Sequence, residues 1–99
     1  MIRHIVTWNY KAGFTEAENK QNAEKTKKEL EDLIHHIDGI IEIKFHINPL
    51  PRSNRDVCLD SLFENEEALE AYKFHPEHIR VGEFIGTAFQ DRAAFDFNI

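Results

Sequence analysis

The chain has 99 residues and a formal net charge of −6 at pH 7. A chain of this length supports one domain with a single modest core, so residues 1–99 are expected to fold as one unit, alone or with a second copy. The acidic balance argues against nucleic-acid binding, which needs a basic face. No apolar run approaches the roughly 20 residues of a membrane span, so we expect a cytoplasmic protein with neither nucleic acid nor membrane as a partner.

The first part of the chain has the pattern of a β-strand followed by a long helix. Apolar and aromatic side chains alternate with others from Ile2 to Tyr10, which is the period of a strand, and one face carries His4, Val6 and Trp8. Thr15 with Glu18 three residues later is a capping-box signature for a helix start. An apolar stripe then continues to Ile37, and Asp38-Gly39 is expected to end the helix.

Two strands are predicted in the middle of the chain. In the second strand the apolar residues fall on one face: Ile41, Ile43, Phe45 and Ile47. Pro49 and Pro51 stop this strand because proline cannot continue a hydrogen-bonded ladder. The third strand is expected from Arg55 to Glu64, with one face formed by Val57, Leu59, Ser61 and Phe63.

The last third of the chain predicts two helical segments and a final strand. Asn65 should cap a helix over 66–74, and Pro76 should end it and open a second helical segment. Gly86 is expected to end that segment. A fourth strand is then expected from Thr87 to Phe97, with one face formed by Phe89, Ala93, Phe95 and Phe97.

The resulting βαββαβ order predicts the α+β ferredoxin-like arrangement, in which helices cover one face of a four-stranded antiparallel sheet. The helices can cover only that face. The opposite face also carries apolar residues such as Ile5, so a second subunit's sheet is its natural cover. We therefore expect a homodimer.

The segment from Tyr72 to His78 places a phenol and two imidazoles around the predicted helix break. Beyond the break, His78 shares helical spacing with Val81 and Gly82, so its ring should point inward, as should that of Tyr72. An apolar interior with a few convergent polar groups suits a small-molecule pocket. The alternative is that both are core residues whose polar tips have each found one hydrogen-bond partner.

These features together resemble the stress-responsive dimeric α/β-barrel (Dabb) family, through four elements of the sequence: His4-Ile5-Val6, Asp56-Val57 through Phe63-Glu64, His75-Pro76-Glu77-His78, and the ending from Arg92 to Asp96-Phe97. The resemblance implies that two ferredoxin-like protomers join their sheets into a barrel. It also implies roles taken from a plant polyketide cyclase of this fold, which works without a cofactor. In that comparison His78 is the general base, Tyr72 holds the substrate carbonyl by a hydrogen bond, and His4 lines the same cavity.

Three functions remain open from the sequence. The first is a dimeric domain of unestablished activity that binds a small apolar or phenolic ligand in a cavity lined by His4, Val6, Trp8, Val81, Gly82 and Phe89. The second is a cofactor-independent cyclase, lyase or isomerase using His78 and Tyr72, and the third is a cofactor-free monooxygenase with Trp8 near the cavity. No cofactor or metal is expected, because His75 and His78 lack a third ligand at a fixed spacing.

Overall fold

The computed structural model describes residues 1–99, which form four strands and three helices in the order β1-α1-β2-β3-α2-α3-β4. The strands are β1 (Ile2–Tyr10), β2 (Ile40–His46), β3 (Val57–Phe63) and β4 (Phe89–Asn98), and the helices are α1 (Glu16–Asp32), α2 (Glu66–Phe74) and α3 (Pro76–Ala88). The sheet has the order β2-β3-β1-β4, and all neighbours in it are antiparallel. This is the predicted ferredoxin-like α+β fold. None of the helices combines the length and apolarity needed to cross a membrane.

The helix starts follow the capping chemistry of the sequence. The Thr15 hydroxyl accepts from the Glu18 amide at 3.1 Å, and the Glu18 carboxylate accepts from the Thr15 amide at 2.8 Å, so both halves of the capping box form. The Asn65 side chain caps α2 by accepting from the Ala68 amide at 2.8 Å. α1 ends earlier than predicted, at Asp32, and a single 3-10 turn (Leu33–His35) completes it, as is common at helix ends.

The core lies between the helices and one face of the sheet, called here the inner face. The predicted alternation in β1 and β3 is confirmed, since the buried positions include Ile2, His4, Val6, Trp8, Val57, Leu59, Ser61 and Phe63. In β2 the prediction was wrong at Ile41, which is 43% exposed, whereas Ile40 is buried. A register shift between Ile40 and Glu42 makes Ile41 the extra residue of a β-bulge. The alternation of inward and outward side chains therefore changes phase after Ile41.

The second helical segment continues past Gly86, contrary to the sequence prediction. α3 includes Gly86 and Thr87 and ends at Ala88. Glycine stops a helix by adopting a left-handed backbone with positive φ, and only Gly13 and Gly39 do so among the glycines of this chain. The predicted start of the final strand therefore moves from Thr87 to Phe89.

A β-bulge in β4 overturns the prediction that Phe89, Ala93, Phe95 and Phe97 share one face. Phe89 pairs with Tyr10 on the inner face, but Phe95 pairs with Ile5 on the outer face. Between the two pairs β4 has one residue more than β1, and Asp91 there has a φ of 57°. An inserted residue reverses the alternation beyond it.

The bulge therefore decides which β4 side chains face the helices. Beyond it, Ala94 pairs with Val6 and Asp96 pairs with His4, both inner-face residues. Arg92, two positions before Ala94, is turned to the same side. The residues turned outward are Ala93, Phe95 and Phe97, and Phe95 is 68% exposed. Without the bulge these two sets would exchange faces.

The positive φ of Asp91 predicts how substitutions there affect stability. Asp91→Gly and Asp91→Val both remove the hydrogen bond that the side-chain amide of Asn9 donates to the Asp91 carboxylate at 3.1 Å. They differ in that glycine adopts a φ of 57° freely and a β-branched residue does not. We expect the valine variant to be less stable than the glycine variant by about 1–3 kcal/mol, measured by urea unfolding. Equal stabilities would contradict a strained bulge.

Candidate active site

The junction of α2 and α3 is built around Pro76. His75, directly before the proline, has extended backbone angles of φ −67° and ψ 134°, as the steric clash with a proline ring requires. Pro76 lies at the first turn of α3, where its missing N–H leaves no bond unmade. The His75 ring then caps α3, because its Nδ1 accepts from the Glu77 amide at 3.1 Å.

This junction fixes the tautomer of His78. In an unbroken helix the Lys73 carbonyl would accept from the Glu77 amide, but that amide is bound to His75. The carbonyl instead accepts from Nδ1–H of His78 at 3.1 Å. In the neutral ring the lone pair is therefore on Nε2, which makes this nitrogen the basic atom.

The electrostatic surroundings keep His78 neutral. Burial lowers the pKa of His78 below its ordinary value, although the hydrogen bond to the Lys73 carbonyl partly opposes this shift. Coulombic interactions with His4, Arg92 and His75 lower the pKa of His78 further. The neighbouring Glu77 carboxylate is turned away and pairs with Arg80 at 3.2 Å. Near neutral pH the ring is thus an unprotonated base.

Tyr72 lies beside His78 and is completely buried. Its ring centroid is 4.2 Å from that of His78 and 4.8 Å from that of Phe63. Burial raises the pKa of the Tyr72 phenol, with Arg92 opposing the shift, so the hydroxyl stays protonated and is a hydrogen-bond donor. This hydroxyl has no partner within the chain. A buried hydroxyl without a partner costs about 1–3 kcal/mol.

His4 completes a cluster of three polar rings on the inner face. Its centroid is 6.2 Å from that of Tyr72. Its Nδ1 lies 2.5 Å from the Asp96 carboxylate on β4, and the Ser61 hydroxyl donates to its backbone carbonyl at 2.8 Å. Asp96 thereby fixes the orientation of the His4 ring.

These side chains line a cavity of about 330 Å³. Of the residues proposed from the sequence, seven line it: His4, Val6, Trp8, Tyr72, His78, Gly82 and Phe89. Val81 does not, because it is fully buried in the core. The other lining residues are Leu30, Leu59, Ile85, Gly86, Gln90, Asp91 and Arg92.

The sequence analysis missed three polar residues of the lining, Gln90, Asp91 and Arg92, and it missed Asp96, which bonds the His4 ring. A strict two-residue period places Arg92 and Asp96 on the face away from Phe89, and the bulge at Asp91 reverses that assignment. No sequence signal identified the bulge, since aspartate is only one of several residues that tolerate a positive φ.

Two larger depressions, of about 550 and 880 Å³, lie elsewhere on the surface. They are lined mainly by exposed or half-buried side chains and are less suited to small-molecule binding than a cavity that contains a fully buried phenol. No group of three or more histidine, cysteine, aspartate or glutamate side chains is placed to hold a metal ion.

Solved structures of several proteins share this fold. A dimeric protein of unknown function with a ferredoxin-like fold from Bacteroides fragilis is 26% identical, with a TM-score of 0.91 over 99% of this chain and 95% of that one. A hydroxynitrile lyase from Passiflora edulis is 16% identical, with a TM-score of 0.82 over 99% and 92% of the two chains. An antibiotic biosynthesis monooxygenase is 12% identical, with a TM-score of 0.77 over 100% and 98%. The last two similarities show the fold alone.

Comparison of sequences identifies relationships more specifically than the shared fold does. No curated protein gave a significant match. The family model for the stress responsive A/B barrel domain, Dabb, matches residues 2–99. That range includes the His75-Pro76-Glu77-His78 junction as well as His4 and Asp96, which pair with each other across β1 and β4. With nearly its whole length matched, the chain belongs to the stress responsive A/B barrel domain (Dabb) family.

Proposed function

We propose that the cavity binds a small carbonyl compound with a mainly apolar body, and that His78 and Tyr72 transfer a proton on it without a cofactor. The observation that carries this proposal is the Tyr72 hydroxyl, which is fully buried and has no partner in the chain. A core tyrosine normally has its hydroxyl bonded to a neighbouring group. A ligand carbonyl oxygen would supply the missing acceptor.

The reaction class follows from the two protonation states. Nε2 of neutral His78 removes a proton from the carbon next to the carbonyl, and the electron pair of that C–H bond forms the enolate double bond. The carbonyl oxygen takes the negative charge, and the Tyr72 O–H donates a hydrogen bond to it. Returning the proton to another carbon gives an isomerase, whereas attack of the enolate carbon on a second carbonyl gives a cyclase. Loss of a leaving group gives a lyase.

Two alternatives use the same cavity. A non-catalytic binding domain would have Tyr72 and His78 hold a small apolar or phenolic ligand, but it does not require the neutral, oriented base found at His78. A cofactor-free monooxygenase would place Trp8 against the ligand. Trp8 does line the cavity, with Phe89 6.3 Å away between ring centroids, but no further feature of the cavity favours oxygen chemistry.

A homodimer formed through the outer face of the sheet is the second part of the proposal. The helices cover only the inner face, and the outer face carries Ile5, Phe95 and Phe97. Phe95 and Phe97 are 68% and 41% exposed. The Bacteroides fragilis protein of the same fold is dimeric. A contiguous exposed apolar surface of this kind is typical of an interface between subunits.

The dimer proposal predicts the effect of a charge on the outer face. Phe95→Glu should raise the dimer dissociation constant by about 100-fold or more, because it buries a carboxylate in an apolar contact. Sedimentation velocity over a concentration series measures this change. Phe74→Glu is the matched control, since Phe74 is 71% exposed on the helical side and the dimer should tolerate the charge. Equal dissociation by both variants would contradict assembly through the sheet.

The catalytic proposal predicts that the protein enolises simple ketones that fit the cavity. The protein in D₂O should speed exchange of the α-protons of acetophenone or cyclohexanone, followed by NMR. His78→Gln should reduce this exchange by about 100-fold or more, and Tyr72→Phe by a comparable factor. The rate should rise with pH and level off below pH 7, because only the neutral ring is a base and its pKa is lowered.

The control for this experiment is His35→Gln, which changes an exposed histidine outside the cavity and should leave exchange unchanged. Circular dichroism melting of each variant separates chemistry from folding. If His78→Gln exchanges protons at the wild-type rate, or if it loses exchange only in proportion to lost folded protein, His78 has a structural role and the catalytic proposal fails.

A further inference from the structure

Arg92 is a cation at the cavity with no partner in an acidic chain. Arg3 and Arg80 each pair with two carboxylates, as expected where acidic side chains outnumber basic ones by 18 to 12. Arg92 lines the cavity, yet its guanidinium takes part in no intramolecular hydrogen bond or ion pair. A guanidinium offers five donors in a planar fork that fits a carboxylate.

The bulge and the neighbouring Asp91 side chain both leave the Arg92 guanidinium without a partner in the chain. The bulge at Asp91 turns Arg92 to the inner face, whereas a regular strand would have turned it outward. The adjacent Asp91 carboxylate could have neutralised the guanidinium. It instead accepts from the side-chain amide of Asn9 at 3.1 Å. Bulges are common beside binding sites because they redirect one side chain in this way.

The charge of Arg92 affects the pKa values of both proposed reacting groups, His78 and Tyr72. Burial lowers the pKa of His78 and Arg92 lowers it further, while at Tyr72 burial raises the pKa and Arg92 opposes the shift. The same cavity thus contains an unpaired cation and, in the Tyr72 hydroxyl, a fully buried donor with no acceptor. Both groups can donate to an acceptor from outside the chain. An anionic oxygen and a carbonyl oxygen would satisfy the pair.

We infer that the ligand of this cavity is a carbonyl compound that also carries a carboxylate, with Arg92 binding the carboxylate and Tyr72 the carbonyl oxygen. The inference rests on the proposed function, because it names the class of substrate for that site. The rest of the lining is largely apolar and suits the carbon body of such a molecule. An acidic chain repels anions, so a local cation is what would allow a carboxylate to bind here.

The test compares two ligands of the same shape and different charge. The acid is 4-oxo-4-phenylbutanoate and its neutral isostere is 1-phenylpentane-1,4-dione, each titrated into the protein and followed by NMR chemical shifts. We expect the wild-type protein to bind the acid about 10-fold more tightly, the effect of one charge-assisted hydrogen-bonded pair at a partly exposed site. The preference should shrink in 0.5 M NaCl, because Arg92 is exposed.

Variants test whether the tighter binding of the acid depends on Arg92. Arg92→Gln should bind both ligands equally, and Arg92→Lys should keep part of the preference because it keeps the charge without the planar fork. Arg52→Gln is the matched control, since Arg52 is an exposed arginine outside the cavity, and it should keep the full preference. Binding of the acid should also raise the NMR-measured pKa of His78, because the carboxylate offsets the charge of Arg92.

The outcomes separate this inference from the catalytic proposal. Equal affinity of the wild-type protein for the two ligands, or a preference that survives Arg92→Gln, overturns the role of Arg92 and leaves proton exchange by His78 untouched. A preference that depends on Arg92 supports the inference even if no proton exchange is found, since binding does not require turnover. Failure of both ligands to bind at millimolar concentration overturns it.

Discussion

The ring of Pro76 is the constraint on which the candidate site depends. It breaks the helical hydrogen-bond pattern between α2 and α3 and forces His75 into an extended backbone. The carbonyl groups at the end of α2 then need other donors. The His75 amide bonds the Tyr72 carbonyl at 3.2 Å, and the His78 ring bonds the Lys73 carbonyl. The His78 ring is therefore held by a hydrogen bond that replaces one lost from the helix.

A second backbone irregularity lies on the strand that borders the same cavity. The bulge at Asp91 brings Arg92 and Asp96 to the inner face, so one defect positions the base and the other positions the charges near it. Asp96 holds the His4 ring, whereas Arg92 remains unpaired. Regular elements bring His4 and Tyr72 to the inner face, and the two irregularities add the oriented His78 ring and the charged groups of Arg92 and Asp96. Bulges and strained backbones are concentrated at functional sites for this reason.

β4 contributes to both faces of the molecule. Its first residues, from Phe89 to Arg92, line the cavity, and its outward residues Phe95 and Phe97 form part of the apolar outer face. As the last strand in the order β2-β3-β1-β4 it pairs with β1 alone, and an edge strand with one partner is less constrained than a central strand. In the proposed dimer, packing on the outward residues would also hold Arg92 and Asp96 in place, which couples assembly to the shape of the cavity.

The sequence by itself determined the fold and the Pro76 junction. The alternation in β1 and β3, the Thr15 and Asn65 caps and the position of Pro76 are local signals, and each depends on residues within a few positions of one another. The tertiary structure decided the faces of β2 and β4, because a bulge is set by pairing with a distant strand. It also decided the neutral state of His78, which depends on burial and on charges from β1 and β4. Local periodicity therefore predicted His78 and Tyr72, whereas only the register of β4 against β1 brought Arg92 to the same cavity and Asp96 to the His4 ring.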